Sequence, residues 1–223
     1  MESEYTARSP SWLPPHTAGS RMLGTASSDW TQSTVLNTTV VAGGTKPKAC
    51  RPTSGRVEVC SSSYGNNGWL GLAQIWISGK HITQGIVKNN DYYFGSSSYQ
   101  YNNTAEMQHV ICQEIGHTFG LDHQSESGAS LNTCMDYYHN TSSTDTKSTH
   151  PNSHDYQQLV TIYTHLDSSS TVSSAPAAAA SAVGSAASGW GRLVASSDGG
   201  RSQTFALNLG AGNAVVTFVI WAR

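Results

Sequence analysis

The chain has 223 residues, 37% of them hydrophobic and only 12% charged, with a formal net charge of −2. That length allows one domain with appendages or two small ones, and the near-neutral charge offers no footing for nucleic acid or an anionic membrane. No apolar run reaches the ~18 residues that a spanning helix needs, which excludes a membrane-spanning helix.

Ser, Thr, Asn and Gly supply the polar bulk, a balance that suits an extracellular protein with long loops. Residues 1–50 show little periodicity, carry Pro10, Pro14 and Pro15, and read as an irregular leader with a possible strand at Val35–Val41. Met1-Glu2-Ser3-Glu4-Tyr5 is acidic and polar, and no apolar stretch follows that would serve as a signal sequence. Four cysteines allow three connectivities. Cys50 and Cys60 bracket a short loop, while Cys112 lies on a predicted helix and Cys134 immediately precedes Met135. The even count, with sequons at Asn37, Asn102 and Asn140, favours secretion despite the missing signal sequence.

Arg56–Cys60 alternates as a strand should, and Trp69–Ile77 is a continuous apolar run of strand length. Ile82–Lys88 follows, closed by Asn89-Asn90-Asp91, and the three read as neighbours in one sheet. A helix opens near Asn103, with Glu106 three residues on in a capping-box-like arrangement. Met107, Ile111 and Ile115 share its inner face, and His109, Gln113 and His117 stack on another. A second helix opens at Pro151-Asn152-Ser153 and carries Leu159, Ile162 and Tyr163 at helical spacing. Residues 167–188 are Ser- and Ala-rich, the composition of a linker. Trp190–Val194, Ser202–Leu209 and Ala214–Trp221 read as strands of a small β segment, 189–223, too short for a core of its own.

The chemistry concentrates in Gln113-Glu114-Ile115-Gly116-His117-Thr118-Phe119-Gly120-Leu121-Asp122-His123. Gln113 and His117 project from one helical face, with Glu114 beside them. Gly120 can end the helix and turn the chain so that His123 returns to the same point. Two imidazoles, an acid and a glycine break at this spacing are the parts of a zinc-hydrolase site.

The stretch resembles the metzincin signature, His-Glu-x-x-His-x-x-Gly-x-x-His, at every position but the first, where Gln113 stands for histidine. Thr133-Cys134-Met135-Asp136-Tyr137-Tyr138 resembles the Met-turn of the same family, and Asp155 to Tyr163 the closing helix of its matrixin branch. The resemblance covers residues 51–166. It implies an α/β zincin-like catalytic domain, a mixed sheet with a zinc helix and a Met-turn, to which the C-terminal β segment is an appendage. It further implies a secreted metalloendopeptidase acting on protein or peptide substrates. In that reading Gln113, His117 and His123 hold Zn2+, and Glu114 activates the zinc-bound water. Met135 supports the site from below, and Tyr137, ahead of Tyr138, binds zinc or steadies the oxyanion. Ile82–Val87 is similar to the family's edge strand, which pairs with extended substrate. Cys50 resembles the inhibitory cysteine of matrixin propeptides, although its proximity to Cys60 favours a disulfide. An amide oxygen suits zinc less well than imidazole. The alternative is therefore a metzincin-fold binding protein that has lost tight zinc, or a structural domain with a coincidental motif. His109 stands one turn before Gln113 as a hydrogen-bonding neighbour or, after a helix shift, a replacement ligand.

Overall fold

The computed structural model describes residues 3–9, 18–125, 127–165 and 187–222. The strands are β1 (Ser3–Ser9), β2 (Leu36–Ala42), β3 (Val57–Ser62), β4 (Trp69–Ser78), β5 (His81–Asn90), β6 (Arg192–Ser197), β7 (Ser202–Gly210) and β8 (Asn213–Trp221). They form one mixed sheet in the order β2-β1-β3-β5-β4-β8-β7-β6. The first four strands in that order run parallel, and every pairing from β5 to β6 is antiparallel. The helices are α1 (Ala18–Trp30), the single turn α2 (Asp91–Phe94), α3 (Thr104–Thr118) and α4 (Ser153–Tyr163).

The chain is thus mixed α/β, and the strands expected from alternation lie within a few residues of where they were read. Three features differ from the sequence reading. The leader 1–50 supplies β1, α1 and β2 to the fold. Ile82–Val87, expected at an edge, lies in β5 between β3 and β4. The C-terminal segment, read as an appendage, continues the same sheet by pairing β8 along the outer side of β4. The expected linker 167–188 lies outside the described residues except for 187–188.

The main core lies between the sheet and α1 and α3. Leu23, Ala26 and Trp30 of α1 meet Ile111, Ile115 and Phe119 over Val57, Val59 and Ala73. On the opposite face Trp69, Leu72, Trp190 and Val219 pack together, next to a cluster of Cys50, Cys60, Trp76, Ile86 and Val215. Disulfides join Cys50 to Cys60 and Cys112 to Cys134. The second ties α3 to the turn that carries Met135.

The same far side holds a buried lysine. Lys88 is 4% exposed, its Nζ sits 5.7 Å from the Tyr64 ring centroid, and burial lowers its pKa to about 8. An unfolded lysine titrates near 10.4. Between these values the unfolded chain holds a proton that the folded chain has shed, so stability rises with pH from about 8 towards 10. Burial, and then the Asp91 charge, raise the Tyr64 pKa, which acts in the opposite sense only above pH ~10. Lys88→Met should therefore stabilise the protein by up to about 3 kcal/mol at pH 7 and abolish the rise. Urea midpoints at pH 7 and 9.5 check it: the unmodified chain gains stability between them and the variant does not.

Candidate functional site

Helix α3 is buried on nearly all sides, although its sequence mixes polar and apolar residues. Glu106, Gln108, His109, Gln113, Glu114, His117 and Thr118 are all buried. Buried polar groups have to find partners, and the partners these residues find define the site.

The helix starts as expected, with Asn103 Oδ1 accepting from the Glu106 amide at 2.9 Å. The Glu106 carboxylate does not close a capping box. It accepts from His139 Nδ1 (2.9 Å), the Asn140 amide (2.8 Å) and Arg201 Nη2 (2.9 Å). Burial alone would raise its pKa, but the His139 hydrogen bond and the charges of His109, Arg201 and His139 outweigh burial and hold it below the usual range.

The helix ends as the glycine predicts. Gly120 has φ +86°, and the Leu121 amide reaches back to the Gly116 carbonyl at 3.3 Å. The reversal brings His123 onto His117, their Nε2 atoms 3.0 Å apart. Two imidazole ligands of a tetrahedral zinc would stand roughly 3.3 Å apart at ordinary bond lengths. His117 Nδ1 faces the Leu121 carbonyl at 2.9 Å, which can only accept, so the proton is on Nδ1 and Nε2 keeps its lone pair. Burial, and then the His123 charge, lower the His117 pKa to about 3, which leaves the ring neutral as a metal ligand must be. His123 has its Nδ1 against Tyr137 Oη at 2.7 Å and Asp122 Oδ1 at 3.4 Å.

Gln113 is arranged in the same way. Its Nε2 donates to the Cys134 carbonyl at 2.9 Å and the Asp136 carbonyl at 2.7 Å, which fixes the amide orientation. Its Oε1 is left buried without a hydrogen-bond partner. Each of Gln113, His117 and His123 therefore has one donor atom held by the protein and one presented, the pattern of metal ligands with their supporting bonds. Among the described residues no three His, Cys, Asp or Glu side chains gather as a metal-binding group.

Glu114 lies on the sheet side of α3 beneath β4. A Cβ at Gly71 would come within 3.1 Å of Glu114 Oε1 and 2.4 Å of Val110 Cγ1, so the glycine makes room for the carboxyl. Burial pushes its pKa well up; the nearby Ala73 backbone acts the other way, yet neither oxygen reaches a partner at hydrogen-bonding geometry. Met135 is buried under the helix, where a Cβ at Gly116 would lie 2.5 Å from its sulfur.

The expected residues thus converge unevenly. His117, His123 and Tyr137 meet through their side chains, Gln113 stands one turn earlier on α3 with its amide nitrogen on the Cys134 and Asp136 carbonyls, and Met135 packs against Gly116. Tyr137 sits on the outer nitrogen of His123, where it orients that ring, and the Tyr138 hydroxyl turns away to Asp145 Oδ2 at 2.8 Å. His109 is pinned between Asn140 Oδ1 and the Asp136 carbonyl, both at 3.1 Å, in a supporting position. Cys50, bonded to Cys60, is no candidate for a fourth ligand. Sequence reasoning did not single out Arg201 or Phe218. Arg201 donates to Glu106 and to the Tyr137 carbonyl, and Phe218 stacks on His117. Neither belongs to a local motif, and only the pairing of β8 with β4 brings them here. No protein-family model matches this chain, and no curated protein matches it either.

Proposed function

We propose that the chain is a metzincin-like zinc endopeptidase that hydrolyses peptide bonds of protein substrates. The observation that carries this reading is the convergence of His117 and His123 through their Nε2 atoms, each ring held from its other nitrogen. Gln113 offers a buried, unpartnered amide oxygen one turn earlier on α3. Zinc, when bound, supplies a Lewis acid that polarises a carbonyl and lowers the pKa of water. His117, His123 and the Gln113 oxygen would hold it.

Glu114 takes the proton of the attacking water and returns it to the leaving amine. A carboxyl whose pKa is raised by burial suits a group that must both accept and give back a proton near neutral pH. Tyr137 positions His123, and Met135 fills the space under Gly116. Two disulfides are compatible with an extracellular setting.

A second reading, a binding protein that keeps the fold without turnover, draws on the weaker donor at Gln113 and on the burial of Glu114 and His117.

Equilibrium dialysis with elemental analysis tests the metal. About one zinc per chain is expected, held more weakly than by three imidazoles, and lost in His117→Ala or His123→Ala. A chain that keeps no zinc at micromolar free metal overturns the endopeptidase reading. Zinc-dependent cleavage of casein separates the enzyme from the binding protein.

A further inference from the structure

We propose that the C-terminal hairpin is an intramolecular latch: β8 fills the side of β4 on which an extended peptide would add as a strand, so the folded chain is latent and takes peptide only when β8 peels away. This rests on the peptide-hydrolase reading of the same site and adds its regulation.

Without β8 the sheet would end at β4. Its Gly71 and Ala73 lie over Glu114, so a peptide paired along this side would pass across the site by strand addition. That side is taken along its whole length, from Trp69 opposite Trp221 to Ser78 opposite Asn213. The occupant also reaches the chemistry. Phe218 stands opposite Ala73, and its ring lies parallel to the His117 imidazole, centroids 4.2 Å apart and planes within 5°. With β8 in place His117 is 1% exposed and Glu114 0%, and no substrate carbonyl can approach either.

The grip is apolar as well as polar: Val215, Phe218, Val219 and Ile220 of β8 enter packed clusters of the core, and a few polar contacts add to them. Arg201, just before β7, donates to Glu106 Oε1 at 2.9 Å and to the Tyr137 carbonyl at 3.1 Å, and its own carbonyl accepts from the Trp221 amide at 2.7 Å. One ion pair with the site helix thus holds the turn between β6 and β7, whose Arg201 carbonyl takes the amide at the end of β8. Along the β4–β8 seam the buried Gln74 Nε2 donates to Thr217 Oγ1 at 3.0 Å, while Gln74 Oε1 is unpartnered. Such groups cost stability when sealed and are satisfied by water or by a peptide when the seam opens.

The pairing supplies its own lock. Gly79 donates to the Gly212 carbonyl at 3.0 Å, so the next pair along, Ser78 and Asn213, is a non-hydrogen-bonded pair. Such pairs have Cα atoms about 4.5 Å apart, within disulfide range. Ser78→Cys with Asn213→Cys, its bond verified by non-reducing peptide mapping, therefore clamps β8 to β4 in the full chain. Arg201→Ala releases the hairpin, and Phe218→Ala does so by a separate route should Arg201→Ala fail to fold.

Hydrogen exchange of 213–221 against 104–118, and fluorescence polarisation of a labelled extended peptide, read the opening without relying on catalysis. In the releasing variants, exchange of β8 should rise at least tenfold with α3 unchanged, and peptide binding should rise with it. In the clamped chain both should fall at least tenfold. The proposal is overturned if β8 and α3 exchange together in every variant, or if the clamped chain binds peptide as well as the unmodified one. If binding follows opening while no variant cleaves peptide, the hydrolase reading fails and the latch stands. If the clamped chain cleaves casein unimpeded, the latch fails and the hydrolase stands.

Discussion

Glu114→Ala should lower peptide-bond cleavage by about 10²–10⁴-fold, the usual contribution of a general base, while zinc retention stays as in the unmodified chain. The carboxyl is not among the three donors proposed to hold the metal, so its loss leaves them in place. Stability supplies the control. A structural carboxylate would be missed by its partners, but the Glu114 oxygens have none at hydrogen-bonding geometry, so removal leaves only a void beside Gly71. Activity should collapse without a matching fall in the urea midpoint. The comparison is best made in the Arg201→Ala background, where β8 no longer screens the site. Gln113→His completes it, because an imidazole in place of the amide should tighten zinc and leave or raise the rate. Zinc-loaded protein that stays inert in the Arg201→Ala background, both with Gln113 and as Gln113→His, would leave the binding-protein reading in possession.

What could be read of the candidate site lay in local spacing. Helical geometry puts Gln113 and His117 on one face, and Gly120 carries the positive φ that the return of His123 demands. The strands β3, β4 and β5 followed from alternation and apolar runs, and the two disulfides are one of the three connectivities that the sequence left open. What was illegible depends on distant partners. Helix α1 has no acidic residue in its first turn and no basic residue in its last, and it contains Gly24 and several serines. Intrinsic propensity therefore hardly marks it. Leu23, Ala26 and Trp30 recur at helical intervals, a signal that becomes readable only beside the core they join with Ile111 and Ile115 of α3. The role of Glu106 was misread because its pairing with Asn103 is a local pattern, whereas Arg201 arrives from 95 residues away. Likewise nothing in Asn213–Trp221 tells which strand it joins, so an apolar strand looked like an appendage when it completes the sheet across the site.

Trp30→Ala should destabilise the protein by about 3–5 kcal/mol, the range for truncating a buried aromatic. Against the ~5–15 kcal/mol that holds a typical domain, this is the largest loss expected of any single substitution here. Trp30 is fully buried, and its Nε1 donates to the Cys112 carbonyl of α3 at 3.2 Å. Its ring meets the edge of Phe119 at 5.6 Å and of Tyr156 at 6.4 Å. It also abuts Gly116, where an added Cβ would lie 2.8 Å from the ring. The residue therefore binds α1 to α3 and α4 at the level of Met135, directly below His117. Its loss opens a void there that Met135 and Gly116 cannot fill without moving the helix. Zinc affinity should fall along with the urea midpoint, although Trp30 touches none of the donors. Breaking the Cys112–Cys134 bridge instead, as Cys112→Ala with Cys134→Ala, should cost about 3 kcal/mol for a loop of this length, mainly through the unfolded chain. That change should leave the packing under His117 in place and disturb zinc less for a similar loss of stability. Urea unfolding and zinc dialysis on both variants decide it. A loss below about 1 kcal/mol for Trp30→Ala, less than most buried truncations, would mean that α1 is not part of the core that carries the site.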